Sequence, residues 1–172
     1  MTSDLVLRPL TPADEHEAWI AHDELAAEGF DFLLDARRDD WPGYLAHLAR
    51  EHDGVDLPPG RVPATFLVAE VDGELVGRVS VRHELNDHLA AVGGHIGYAV
   101  RPAFRRRGHA TEMLRQSLTL LRSVGVESAL VTCDDDNVAS ARTIEHCGGV
   151  LQDVVPVASG SPKRRYWVPT GT

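Results

Sequence analysis

Four arginines and one glycine stand close together in the middle of the sequence. Arg101, Arg105, Arg106 and Arg107 fall within seven residues, and Gly108 follows directly, in a chain whose formal net charge is −9. Guanidinium groups bind phosphate oxygens in bidentate fashion. A glycine-bearing loop at the start of a helix adds outward-facing N–H groups and the positive end of the helix dipole. These residues predict a phosphate-binding loop, although a solvated turn explains the charge cluster equally well on its own.

The spacing of this segment excludes two common phosphate motifs and matches a third. It is neither GxGxxG nor GxxxxGK[ST]. It does fit [R/Q]-x-x-G-x-[G/A], at residues 105–110, directly after an apolar stretch that ends in Val100. Farther along, Asn137-Val138-Ala139-Ser140 opens a predicted helix that ends at Cys147-Gly148-Gly149. These motifs, and the order of elements over residues 66–155, resemble the GNAT superfamily of N-acetyltransferases.

Seven strands and four helices are predicted around these motifs. Met113, Leu114 and Leu121 recur at helical spacing and predict an amphipathic helix after the arginine-rich loop. The dipeptide Asp72-Gly73 predicts a tight hairpin turn. The predicted strands cover residues 6–9, 66–71, 74–82, 95–100, 128–133, 150–155 and 165–168, and the predicted helices cover 11–28, 41–50, 110–125 and 137–147.

This order predicts an α/β fold of the mixed α+β kind. The resemblance implies the GNAT fold, with a mixed, mostly antiparallel central sheet of about six or seven strands flanked by about four helices. In the strand over residues 74–82, alternation places Leu75, Gly77, Val79 and Val81 on one face.

Composition limits the classes of function. The 172 residues, 43% hydrophobic and 25% charged, predict a single globular domain over residues 1–172. The negative charge gives no basic face for nucleic acid or an anionic membrane. Neither a signal peptide pattern nor a membrane-length apolar run is present, so we expect a cytoplasmic protein. Cys133 and Cys147 are not in CxxC spacing and the nine histidines are scattered, so no metal site is predicted.

The resemblance implies acetyl-CoA as cosubstrate, held where two central parallel strands splay apart. Backbone groups of residues 98–100, with Ala99 and Val100 among them, would pair with the pantetheine arm like an added strand, because a β-bulge at Gly97 would leave amides free. The residues that would cradle the pyrophosphate through N–H groups, guanidinium groups and one hydroxyl are Arg105, Arg106, Arg107, Gly108, His109, Ala110 and Thr111.

The resemblance also implies how charge is handled during acetyl transfer. The N–H of Val100 would stabilise the oxyanion, and Asn137 and Ser140 would face the acetyl-CoA from the opposite side. Relatives often have a tyrosine that acts as the general acid seven residues after the asparagine, but this sequence has Ile144 there. We expect Tyr98, Ser140 or a water to protonate the leaving thiolate, or the thiolate to leave unassisted.

The base that receives the amine proton is open among several groups. His95 and Glu84 are the candidates among the side chains, and a chain of water molecules is a third option. A structural role for His95 is the more ordinary alternative. Aromatic and acidic residues of the first third would form a pocket for a cationic amine, or else belong to the core and to a solvated face; they are Phe30, Phe32, Trp41, Asp31, Asp35 and Asp39.

These features together predict an acetyl-CoA-dependent N-acetyltransferase acting on a primary amine of a small molecule. Acetylation of a protein N-terminus or lysine is one alternative, and a non-catalytic acyl-CoA sensor is another. Neither nucleic acid nor a membrane is expected as a partner. Analogy with proteins of this fold suggests a homodimer as one oligomeric state. The acceptor, the preferred acyl chain and the oligomeric state are not determined by the sequence.

Overall fold

Seven strands and four α-helices make up the part of the chain that the computed structural model describes, residues 4–171. The strands are β1 Val6–Arg8, β2 Ala64–Val71, β3 Glu74–Arg82, β4 Ile96–Val100, β5 Ser128–Asp134, β6 Val150–Val155 and β7 Lys163–Pro169. The helices are α1 Glu15–Ala26, α2 Trp41–Asp53, α3 His109–Ser123 and α4 Val138–His146. The predicted strands and helices are therefore confirmed, with ends that shift by a few residues.

The strands form two antiparallel sheets, in the orders β1-β2-β3-β4 and β5-β7-β6. The sheets meet where the N–H of His95 donates to the carbonyl of Leu130 at 2.7 Å. No hydrogen-bonded ladder joins β4 to β5 within residues 4–171. One edge of β4 is therefore left without a partner strand.

A β-bulge interrupts the pairing of β2 with β3. Ala69 lies opposite Gly77 and Glu70 lies opposite Leu75, so Val76 is the extra residue. Leu75 packs with the residues under α1 and α2, whereas Val76 and the rest of the apolar residues of β3 pack toward α3. The prediction that Leu75 shares a face with Gly77 is wrong, because the bulge inverts the alternation.

The β3–β4 pairing is regular, which corrects the expected position of the β-bulge. Gly97 lies opposite Ser80, and Ala99 lies opposite Arg78, with no register shift between them. A bulge at Gly97 is therefore wrong for this chain. The open edge of β4 arises because β5 diverges from it.

Two hydrophobic clusters fill the faces of the first sheet. One lies between the sheets and helices α3 and α4, with Met113, Leu114 and Ile144 fully buried. The other lies under α1 and α2 and contains Phe32 and Trp41, both buried. These two aromatic residues belong to the core, as the simpler alternative held.

Side-chain caps explain where several helices begin. The Asp40 carboxylate accepts the N–H of Gly43 at 2.9 Å at the start of α2, and Asn137 caps α4. A short helical turn at Pro12–Asp14 precedes α1, so this helix begins later than predicted. Among residues 4–171, no helix has the length and hydropathy needed to cross a membrane.

Candidate functional site

The loop between β4 and α3 presents a row of free backbone N–H groups. Arg106 and Gly108 both have left-handed backbone conformations, with φ of 63° and 81°. The N–H groups of residues 106–111 have no acceptor within residues 4–171, and the first bond of α3 runs from Glu112 N–H to the Gly108 carbonyl at 3.2 Å. Such a row at a helix N-terminus forms a concave anion-binding site.

Two of the four arginines fasten this loop to α1. Arg101 is buried and donates to Glu24 at 2.8 and 2.9 Å and to the carbonyl of Leu75 at 2.7 Å. Arg105 donates to Glu28 at 2.6 and 3.1 Å, and its Nε donates to the Val100 carbonyl at 3.0 Å. These contacts occupy both guanidinium groups, so they hold the loop in position.

The remaining two arginines, Arg106 and Arg107, are exposed. Neither forms an ion pair with a carboxylate of the described chain, and Arg107 lies 5.8 Å from the ring centre of Phe104. The next residue after Gly108, His109, is buried, and burial followed by the charge of Arg107 lowers its pKa. Positive charge at this loop thus comes from two free guanidinium groups and the helix dipole.

The next two residues of α3 complete the row of N–H groups. Ala110 is partly buried, and the carbonyl of Thr111 accepts a weak hydrogen bond from the Cys147 thiol at 3.7 Å. This contact joins the first turn of α3 to the end of α4. Both residues lie in the first turn of α3, so their N–H groups have no acceptor within the helix.

Two flanking hydrogen bonds determine which β4 amides point to the open edge. The N–H of Arg82 donates to the His95 carbonyl at 2.7 Å, and the N–H of Arg101 donates to the Val76 carbonyl at 2.8 Å. Because ladder bonds alternate, Ala99 faces β3, while the N–H groups of Tyr98 and Val100 face the gap beside β5. An extended ligand could pair with these two residues as a strand does.

A hydroxyl pair lies on the α3 side of this gap. The Tyr98 hydroxyl and the Ser140 hydroxyl are 2.7 Å apart, and the Ser140 N–H donates to the side-chain oxygen of Asn137 at 3.1 Å. Burial raises the pKa of Tyr98 to about 12. Burial also raises the pKa of the adjacent Cys133 thiol, which is 8% exposed. Tyr98 therefore stays protonated at neutral pH and can donate.

The two candidate bases are placed very differently. His95 is 5% exposed, and its Nδ1 accepts the Leu130 N–H at 2.9 Å, so the neutral ring carries its proton on Nε2. Burial lowers its pKa. Glu84 is exposed, and its carboxylate forms no hydrogen bond within residues 4–171. This geometry favours the structural alternative for His95.

A cavity of about 320 Å³ opens on the opposite face of the first sheet. Its walls include Glu51 of α2, Arg61 of the following loop, and Ser80 and Arg82 of β3. Burial raises the pKa of Glu51 and lowers that of Arg82. No sequence motif pointed to Glu51 or Arg82, although an arginine within an apolar strand is a signal for a charge inside the fold.

Comparisons with known proteins agree with this geometry. A family model described as an acetyltransferase (GNAT) domain matches residues 4–150. No curated protein sequence matches the chain. Solved structures with the same fold include RimL, a ribosomal L7/L12 alpha-N-protein acetyltransferase in complex with coenzyme A, with 15% identity, a TM-score of 0.74 and coverage of 98% of this chain and 95% of that one.

Two further structures share the fold. RimJ of Mycobacterium smegmatis, in complex with CoA-disulfide, has 20% identity, a TM-score of 0.72 and coverage of 96% of this chain and 81% of that one. The microcin C7 self-immunity acetyltransferase MccE, in complex with acetyl-CoA and AMP, has 16% identity, a TM-score of 0.71 and coverage of 98% and 93%. The family match extends over most of the sequence, so the predicted family is confirmed: the chain belongs to the GNAT acetyltransferases.

Proposed function

We propose that this enzyme transfers the acetyl group of acetyl-CoA to a primary amine of a small molecule. The observation that carries the proposal is the row of free N–H groups at residues 106–111, in the loop that follows the open-edged strand β4. A diphosphate and a peptide-like arm are the two parts of coenzyme A that such a pair of features would bind.

Each part of the site has a proposed role. The N–H groups of residues 106–111 and the guanidinium groups of Arg106 and Arg107 hold the pyrophosphate. The edge amides of Tyr98 and Val100 hold the pantetheine arm, and the Val100 N–H stabilises the oxyanion of the thioester carbonyl. Arg105, which is bonded to Glu28 and Val100, positions the loop.

The Tyr98–Ser140 pair replaces the family's usual acid. Ile144 is fully buried in the core and carries no proton, whereas the two hydroxyls face the same gap as the edge amides. The amine nitrogen attacks the carbonyl carbon, the C–S bond breaks, and the hydroxyl pair donates a hydrogen bond to the departing thiolate. Glu84 or solvent takes the surplus amine proton, because the acceptor lone pair of His95 is already occupied.

A small acceptor fits the size of the cavity on the other face of the sheet. Its volume of about 320 Å³ lies at the lower end of the range for small-molecule sites. A protein N-terminus is the second candidate, since RimL, which shares the fold, is a protein acetyltransferase. A cytoplasmic location and a homodimer stay predictions of the sequence.

Calorimetric titration with acetyl-CoA tests the cofactor site. Gly108→Glu places a carboxylate where a Cβ would meet no atom within 4 Å, so we expect the affinity to fall by at least about 100-fold through repulsion of the phosphates. Gly125→Glu is the matched control, because Gly125 also has a positive φ of 90° and open space around its Cβ, at the far end of α3. Equal affinity of both variants would disprove the assigned loop.

An assay of thiol release then separates enzyme from sensor. A protein that binds acetyl-CoA and releases thiol only when an amine is added is an acetyltransferase. Binding without thiol release across small amines and N-terminal peptides would favour the sensor alternative.

A further inference from the structure

Two arginines of β3, one buried and one partly buried, have very different hydrogen bonding. Arg78 is 3% exposed, and it donates to the backbone carbonyls of Asp31 at 2.8 Å and Phe32 at 3.1 Å. Arg82 lines the cavity, and its guanidinium makes a single long contact, to the Gly93 carbonyl at 3.5 Å. A guanidinium carries five N–H donors, so most of those on Arg82 have no partner in the described chain.

The charge of Arg82 is not balanced by an ion pair. Within residues 4–171, no carboxylate lies at ion-pair distance from it. Glu51, the acidic residue of the cavity wall, lies 3.8 Å from His47 instead, and Arg61 is already paired with Asp35. A partly buried guanidinium without an ion-pair partner is costly, although the chain has 26 acidic residues that could supply one.

The side chain of Tyr44, near the cavity, also has a polar group without a partner in the described chain. The hydroxyl of Tyr44 is buried and has no hydrogen-bond partner in the described chain. It lies close enough to Arg78 and Glu51 for their charges to affect its pKa. The charged side chains that line the cavity are the guanidinium groups of Arg61 and Arg82 and the carboxylate of Glu51, so positive charge is in excess there, which favours an anionic ligand.

Arg82 also lies next to the proposed acetyl-transfer edge. A Cβ on Gly97 would lie 3.5 and 3.7 Å from the two terminal nitrogens of Arg82. Gly97 is the neighbour of Tyr98 on β4, and the main chain of Arg82 is bonded to His95 of the same segment. A molecule that contacts Arg82 in the cavity is thus within a few ångströms of β4.

We propose that the acceptor amine carries an anionic group, a carboxylate or a phosphate, which the guanidinium of Arg82 binds in this cavity. This inference rests on the proposed acetyltransferase function and names its substrate class. The acidic residues that the sequence offered for a cationic acceptor fit it less well, since Asp35 pairs with Arg61 and Asp39 pairs with Arg37.

Matched amines test the inference. We would measure kcat/KM by thiol release from acetyl-CoA for β-alanine against β-alaninamide and for phosphoethanolamine against ethanolamine, corrected for the fraction of neutral amine. The wild type should favour the anionic member of at least one pair by about 10- to 100-fold, the range of a charge-assisted hydrogen bond. Arg82→Gln should reduce this ratio to near one, and Arg82→Lys should retain part of it.

Arg50→Gln is the control, because Arg50 is exposed on α2 and its side chain forms no hydrogen bond or ion pair within residues 4–171. It removes the same charge and should leave the ratio unchanged. Thermal melting verifies that Arg82→Gln is folded, as expected when a partly buried charge without an ion-pair partner is removed. Calorimetry with acetyl-CoA on each variant measures the cofactor site separately.

The outcomes are distinct. A wild type that binds acetyl-CoA but prefers the neutral amines, or acetylates no anionic one, overturns the inference and leaves the cofactor site intact. An anionic preference that survives in folded Arg82→Gln also overturns it. A wild type that does not bind acetyl-CoA refutes the proposed function, and the inference falls with it.

Discussion

Replacing Tyr98 with phenylalanine tests the proposed donor to the leaving thiolate. The change removes one hydroxyl that lies 2.7 Å from Ser140 and leaves the ring that packs against the core. With a pKa of about 12, Tyr98 is a weaker acid than a thiol, whose ordinary pKa is about 8.5. Its contribution is therefore a hydrogen bond to developing negative charge, worth about 1.5–3 kcal/mol. We expect kcat to fall by roughly 10- to 150-fold.

The assay is steady-state thiol release together with calorimetry for acetyl-CoA. Affinity should change by less than about threefold, since the lost interaction forms only as the C–S bond breaks. Ser140→Ala combined with Tyr98→Phe should be no slower than the slower single variant, because the two hydroxyls act as one unit. A kcat unchanged in Tyr98→Phe, or a purely additive double variant, would refute the reasoning. The pH profile between about 7 and 10 should also be unchanged, because Tyr98 stays protonated there.

Two predictions concern stability. Asp14 is buried and accepts two bonds from Arg8 and two from Thr11, and the Arg8 hydrogen bonds hold its pKa below the usual value. Asp14→Asn should cost about 1–2 kcal/mol at neutral pH. A depressed folded pKa means that this contribution is present above the unfolded value near 4 and is lost as pH falls. Denaturant curves at pH 7 and pH 3 should therefore converge for the two proteins, and a constant difference would contradict the assignment. Gly77→Ala would place a Cβ 2.3 Å from the Ala99 carbonyl oxygen, a backbone atom that cannot move aside, so the free energy of unfolding should fall by about 3 kcal/mol. Gly73→Ala meets no atom and should cost only about 1 kcal/mol for its positive φ; equal losses would argue against the close approach.

Short-range signals predicted the local elements well. Asp72 and Gly73 have φ of 51° and 82°, as the hairpin turn requires, and Asn137 caps α4 through its own side chain. The bulge at Val76 carried no such signal, since no glycine or proline occupies it and only the opposite strand defines the extra residue. The alternation of residues along one strand cannot reveal a register shift, because the register is defined between two paired strands.

Long-range partners could not be read from the sequence. Arg101 pairs with Glu24 and Arg105 pairs with Glu28, each across 77 positions of the chain. From composition alone, any of the four loop arginines was an equal candidate to bind a phosphate. Only the packing of α1 against the loop shows which two arginines hold the loop in place. The same holds for Arg82, because only the fold shows that its guanidinium makes a single long hydrogen bond within residues 4–171.

The regular register of β4 places the proposed acceptor site and the proposed thiolate donor on opposite faces of the sheet. Successive residues of a strand face opposite sides of a sheet, so Gly97 faces the cavity of Arg82, while Tyr98 faces Ser140 on the side of α3. A bulge between them would have put both on one side. The acceptor can then approach β4 from the face that carries the unpaired guanidinium, while the departing thiolate meets the hydroxyl pair on the other. The absence of a side chain at Gly97 leaves that approach open, because any Cβ there would contact the terminal nitrogens of Arg82.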